Sequence, residues 1–135
     1  MEPQVKLSAL ISGFLMKTES EADSYSPVPG CKLFKTDVRP LSPTLTAVTY
    51  LLSQVQGFLV IFDRDFNNKA VCQQTFFSDE TYGLYNSLKS VAIPGKSYHG
   101  SSGFFINLPY VGNLLIEYQN EGGKPCIVAT AECML

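Results

Sequence analysis

Over much of the chain apolar residues recur at every second position, the period of a half-buried β-strand rather than of a helix. The pattern is clearest at Phe104, Ile106, Leu108 and Tyr110, which alternate with Phe105, Asn107 and Pro109 ahead of a Val111-Gly112-Asn113 turn. Beyond the turn Leu114, Ile116 and Tyr118 share one face and Leu115, Glu117 and Gln119 the other. Glu121-Gly122-Gly123-Lys124 then turns the chain into an apolar stretch at residues 126–134, so three consecutive antiparallel strands are predicted. A second hairpin is predicted where Phe58-Leu59-Val60-Ile61-Phe62 and residues 70–77 flank Asn67-Asn68, because asparagine tolerates the positive φ of a tight turn.

Helix signals are fewer. Ser78 is placed to cap a helix with Asp79 and Glu80 in its first turn, a stripe at Thr81, Leu84, Tyr85 and Leu88, and Lys89 near its end, while Pro94 prevents continuation. Residues 44–56 lie between Ser42-Pro43 and Gly57, which resemble helix ends, yet Thr44, Thr46, Val48, Thr49 and Tyr50 favour a strand, the reading adopted here. Residues 5–17 fit a helical stripe through Leu7, Leu10, Ile11, Phe14 and Leu15 and also a strand through Val5, Leu7, Ala9 and Ile11; Gly13 and the surrounding β pattern tip the reading to strand. Residues 18–30 are polar and end in Ser26-Pro27-Val28-Pro29-Gly30, a surface loop. Many short strands, frequent turns and one or two short helices predict a mainly β fold, an antiparallel β-sandwich or jelly roll. At 135 residues it forms one domain, residues 1–135, with 1–17 expected as an arm that contacts a partner.

Twelve acidic and ten basic residues leave a net charge of −2 with no basic block, which excludes the electrostatic footprint of a nucleic-acid binder. No run approaches the roughly 18 apolar residues of a membrane-spanning helix. The apolar run at residues 7–16 behind Lys6 resembles a signal-peptide core, but Glu2 weakens the leader and residues 18–23 offer no small-x-small cleavage site; the segment is expected to stay in the mature chain. Cys31, Cys72, Cys126 and Cys133 are expected to be free thiols, since a domain of this size folds without staples. With no Asn-x-Ser/Thr acceptor either, synthesis in a reducing cytoplasm is expected.

Several short constellations resemble functional motifs. Ser90-Val91-Ala92-Ile93-Pro94-Gly95-Lys96-Ser97 is one residue away from a phosphate-binding loop, but it lacks the first glycine, and Tyr98-His99-Gly100 cannot open the helix that holds the phosphate. Asp63-Arg64-Asp65-Phe66-Asn67 copies the start of a calcium loop, with Asn68 where glycine is required and Gln74 where a bidentate glutamate is required. Asp63 and Asp65 remain candidates for a looser cation site, since alternate strand residues point to one side. His99, the one histidine, has no acid that sequence places beside it, so no catalytic residue is assigned and no cofactor is expected. Tyr82, Tyr85, Tyr98 and Tyr110 fall near predicted loops, where tyrosine stacks on sugars or is buried at protein interfaces.

Only 16% of residues are charged, against about 25% in an ordinary soluble domain. A thinly charged surface of about 7,000 Å² suits a chain whose partners cover part of it. The expectation is a non-enzymatic assembly protein making homomeric contacts, on the analogy of a virion decoration, capsid or tail component, with a small carbohydrate-binding, calcium-assisted module as the alternative.

Overall fold

The computed structural model describes residues 11–26, 30–52, 57–76, 81–98, 100, 102–108, 111–121 and 124–135. They contain helix α1 (Glu19–Asp23), strands β1 (Phe34–Pro40), β2 (Leu45–Leu51), β3 (Gly57–Asp63) and β4 (Lys69–Phe76), helix α2 (Thr81–Lys89), and strands β5 (Phe104–Leu108), β6 (Gly112–Glu121) and β7 (Lys124–Ala131). The seven strands form one antiparallel sheet in the order β1-β2-β3-β4-β7-β6-β5. The mainly β expectation holds; the second sheet that a sandwich or jelly roll needs is not found among the described residues. Two meanders, β1 to β4 and β5 to β7, meet where β4 pairs with β7, with Gln73 opposite Ala129 and Thr75 opposite Ile127.

One face of this sheet is the core. The register aligns Tyr50 with Phe58 and Val48 with Val60 in the first meander, and Phe104 with Ile116 and Ile106 with Leu114 in the second. All eight are buried. They form two clusters, one around Phe14, Tyr50 and Phe58 and the other around Ile11, Leu15, Tyr85 and Leu88. The layer over this face consists of residues 11–26 and α2, so helical and irregular chain takes the place of a second sheet.

The strand expected over residues 5–17 is therefore corrected in its described part. Residues 11 and 12 are helical and 13–16 turn, with Met16 at φ 68° ending the turn in the left-handed region. Among the described residues of this segment, strand-like contact with the sheet is confined to residues 16–18, where the Met16 N–H donates to the Ala70 carbonyl, the Ala70 N–H donates to the Lys17 carbonyl, and Thr18 bridges to Lys69. The physical reason is the stripe Ile11, Phe14 and Leu15, whose spacing of three and four puts all of them on one side of a helical turn and into the core. Ile11, Phe14 and Leu15 thus lie in the core of their own chain, and residues 1–10 of the expected arm lie outside the described residues.

Polar atoms in this core are paired. The Gln73 carbonyl oxygen accepts the Phe14 N–H at 3.0 Å and its amide donates to the Thr75 hydroxyl at 3.0 Å. Thr18 caps α1 reciprocally with Glu21, as a capping box does. Lys35 of β1 pairs with Glu19 and Asp23 of α1, and the Tyr50 hydroxyl donates to Asp23 at 2.8 Å. Burial first, and then the Asp23 carboxylate, keep the Tyr50 phenol protonated far above the usual tyrosine range.

Candidate functional site

The acidic pair expected to hold a cation does not share one strand. Asp63 is the last residue of β3 and is buried, and its side chain accepts the Asp65 N–H at 2.9 Å, capping a one-turn 3₁₀ helix at Arg64–Phe66. Asp65 belongs to that turn, so the alternation that would have aimed both carboxylates to one side is lost. Asn67 and Asn68 follow, both at φ 57°, as the hairpin reading expects. No group of three or more His, Cys, Asp or Glu with metal-binding geometry occurs among the described residues.

Tyr85 and Tyr98 do not share a surface. Tyr85 is buried on α2, its ring 5.2 Å from that of Phe104 and 5.7 Å from that of Tyr118, and its hydroxyl donates to the Ser102 carbonyl. Helical spacing explains this, because Tyr85 lies one position after Leu84 and three before Leu88 on the stripe facing the sheet. Tyr98 is exposed on the loop that follows α2, Tyr82 is the second residue of that helix, and Tyr110 and His99 lie outside the described residues. Lys96, the lysine of the phosphate-loop-like stretch, pairs with Glu132 at 2.6 Å and stands over the Phe105 ring at 4.9 Å. The four cysteines are free thiols; Cys72 accepts the Thr130 hydroxyl at 3.7 Å, and burial pushes its thiol above the usual range.

A cleft of about 390 Å³ opens between the start of α1 and the β3–β4 hairpin. Its walls include Thr18, Ser20, Thr44, Thr46, Arg64 and Asn67. Neither Tyr85 nor Tyr98 lines it.

The most unusual surface is β1 and the sheet beside it. Every residue of β1 is exposed, and Phe34 at 60%, Val38 at 51% and Leu41 at 50% are the most exposed large apolar side chains among the described residues. The far edge of the sheet differs, since there the Ile93 N–H donates to the Phe105 carbonyl at 2.8 Å and loop residues shelter β5. Among the described residues no strand pairs with the outer side of β1. The direction of its backbone groups follows from the ladder. The Leu41 N–H donates to the Leu45 carbonyl at 2.9 Å, and Arg39 lies opposite Ala47 two positions on. Antiparallel pairs alternate between bonded and non-bonded, so Arg39 turns toward β2 while Val38 and Pro40 turn their backbone groups outward. Proline fits at 40 because the N–H it lacks would have faced away from the sheet.

Beside this edge the sheet's second face is nearly free of charge. Residues 45–51, 57–62, 70–76 and 125–131, the bodies of β2, β3, β4 and β7, contain no Asp, Glu, Lys or Arg. On that face Thr49, Leu51, Leu59, Ile61, Cys72 and Gln74 are only half-buried. The thin charge of the composition is concentrated here. Sequence reading passed over β1, although Phe34, Thr36 and Val38 alternate with Lys35, Asp37 and Arg39 between Gly30 and Pro40. A bulge between Lys35 and Asp37 shifts the register, so Phe34 and Val38 emerge on opposite faces. No family model, no curated protein and no solved structure matches this chain, and its function is read from the geometry alone.

Proposed function

We propose that this protein is a non-enzymatic assembly subunit that makes homomeric contacts through the open edge of its sheet and the uncharged face beside it. The observation that carries this reading is β1, a strand exposed along its whole length with two large apolar side chains in solvent. An unpaired edge is a template for another strand, and apolar side chains left in water favour any contact that covers them. Where that face meets β1 stand Asp37 and Arg39, one charge of each sign on the edge strand itself. The test is the mass of the full chain by light scattering. Multiples of 14.9 kDa support the reading, and a mass of 14.9 kDa at all concentrations overturns it.

A second reading, a carbohydrate-binding module, is favoured by the hydroxyl- and amide-lined cleft around Arg64. Titration with a panel of sugars, with and without calcium, tests it. A shift in melting temperature abolished by Arg64→Ala supports this reading, and no shift with any sugar refutes it.

A further inference from the structure

We infer that two copies of the chain join β1 to β1 of the partner copy in antiparallel fashion about a twofold axis at Val38. This inference rests on the assembly reading and names the surface and the register that the assembly uses.

Backbone geometry narrows the choice first. Residues that lie opposite one another in a continuous sheet must project their side chains from the same face, so a twofold axis between two copies of β1 passes through a residue and not between two. An axis at Val38 sets its outward N–H and C=O against the same groups of the partner copy, and the two residues exchange both hydrogen bonds. An axis at Pro40 has no N–H to offer. An axis at Thr36 falls on the bulge, where the ladder to β2 is already irregular, and Lys35 is there held by Glu19 and Asp23.

Charge decides between Val38 and its neighbours. With the axis at Val38, Asp37 of each copy lies opposite Arg39 of the other, in a non-hydrogen-bonded pair where Cα atoms approach to about 4.5 Å. Asp37 and Arg39 already meet within one chain at 3.3 Å, so both side chains reach over the same face. The two copies then bring four alternating charges together. An axis at Asp37 sets aspartate against aspartate, and one at Arg39 sets arginine against arginine, each at that same close separation. Val38 meets its own copy on the opposite face. Pro40 and the bulge bound the ladder at its two ends, which limits the pairing to a short segment with one admissible register. The edge therefore joins a single partner, an isologous contact that closes on itself. The second faces of the two sheets then join, with these four charges along the seam between their uncharged parts.

The full chain is compared with Asp37→Arg, Arg39→Asp and the double exchange by sedimentation, with melting curves as a check on folding. Each single variant carries like charges at all four positions and should weaken dimerisation about tenfold or more. The double exchange should restore it, and so should a one-to-one mixture of the two single variants, because each then offers the other the opposite sign. Val38→Pro, which removes the outward N–H, should weaken it as well. Folded single variants that associate as tightly as the original chain overturn the register while leaving the assembly reading intact. A folded chain that is still monomeric at about 1 mM overturns both.

Discussion

Phe14→Ala tests whether residues 11–17 seal the core. Phe14 is fully buried, its ring 5.1 Å from that of Tyr25, 5.2 Å from that of Tyr50 and 5.3 Å from that of Phe58. Truncating a buried phenylalanine to alanine costs about 3–5 kcal/mol through lost transfer energy and the cavity left behind. Three aromatic partners place this site toward the upper end, since each such pair contributes about 0.5–1.5 kcal/mol beyond its buried area. At an unfolding entropy of about 2.1 cal/mol/K per residue, a chain of 135 residues loses roughly 3.5 °C of Tm per kcal/mol, so the expected fall is about 10–18 °C. Calorimetry reads the shift directly, and urea titration should show a lower midpoint with an unchanged slope. Phe14→Leu, which keeps most of the volume, should cost less than about 2 kcal/mol. An alanine variant within about 1 kcal/mol of the original chain would falsify the reasoning, because it would mean that the segment lies on the core without closing it.

Gln73→Leu keeps the shape but leaves the buried Phe14 N–H without the acceptor it has at 3.0 Å, and a loss of about 1–3 kcal/mol by urea titration is expected. Two glycine substitutions should move stability in opposite directions. A Cβ at Gly103 would stand 2.6 Å from the Ile116 carbonyl oxygen, so Gly103→Ala should cost about 1–3 kcal/mol; Gly83 on α2 faces open space, so Gly83→Ala should gain about 0.5–1 kcal/mol. Equal signs in thermal melts would contradict the packing at β6. Glu21, through hydrogen bonds from the Thr18 backbone and hydroxyl, and Glu132, through Lys96, both titrate below the usual value of 4.5. Carboxylates with lowered folded-state pKa values stabilise above the unfolded-state value, and that contribution disappears as pH falls through the folded-state value. Melting temperature should therefore drop on acidification below about pH 4.5, and less steeply in Glu21→Gln/Glu132→Gln; an identical slope in the double variant would show that these two groups carry none of it.

The strands of the second meander were legible because each alternates cleanly and the turns between them are short, so local period and local connection agree. The joining of the two meanders was not. Gln73 and Ala129 are far apart in sequence, and nothing in either strand states that they lie side by side in one sheet rather than in two facing ones. The N-terminal segment carried both periods, and the three residues that decide it, Ile11, Phe14 and Leu15, do so by what they are buried against. Tyr85 falls both near the predicted loops and on the helical stripe; the stripe decides, and the Ser102 carbonyl accepts its hydroxyl inside. Asp63 looked like a ligand for the reason that makes it a good cap, since a carboxylate at the end of a strand accepts N–H groups and cations alike.

The open edge follows from where the covering layer ends. Ile11 and Leu15 join the cluster beneath the second meander and Phe14 the cluster beneath the first, so one turn of chain straddles the seam between β4 and β7. The chain then runs through α1 toward β1, and its last polar reach is the pairing of Glu19 and Asp23 with Lys35. Past that point, among the described residues, nothing covers Val38 on the core side, while Phe34 emerges on the opposite face, which no layer covers. Each such side chain gains about 1.5–3 kcal/mol when taken fully out of water, and a pair of strands without further cover is only marginally stable. A strand held on one side only, with that much unburied apolar surface, gains from pairing with a second copy. Its bulge and proline shorten the ladder it offers, and its charges admit one register, so the same residues that leave the edge open also restrict what closes it.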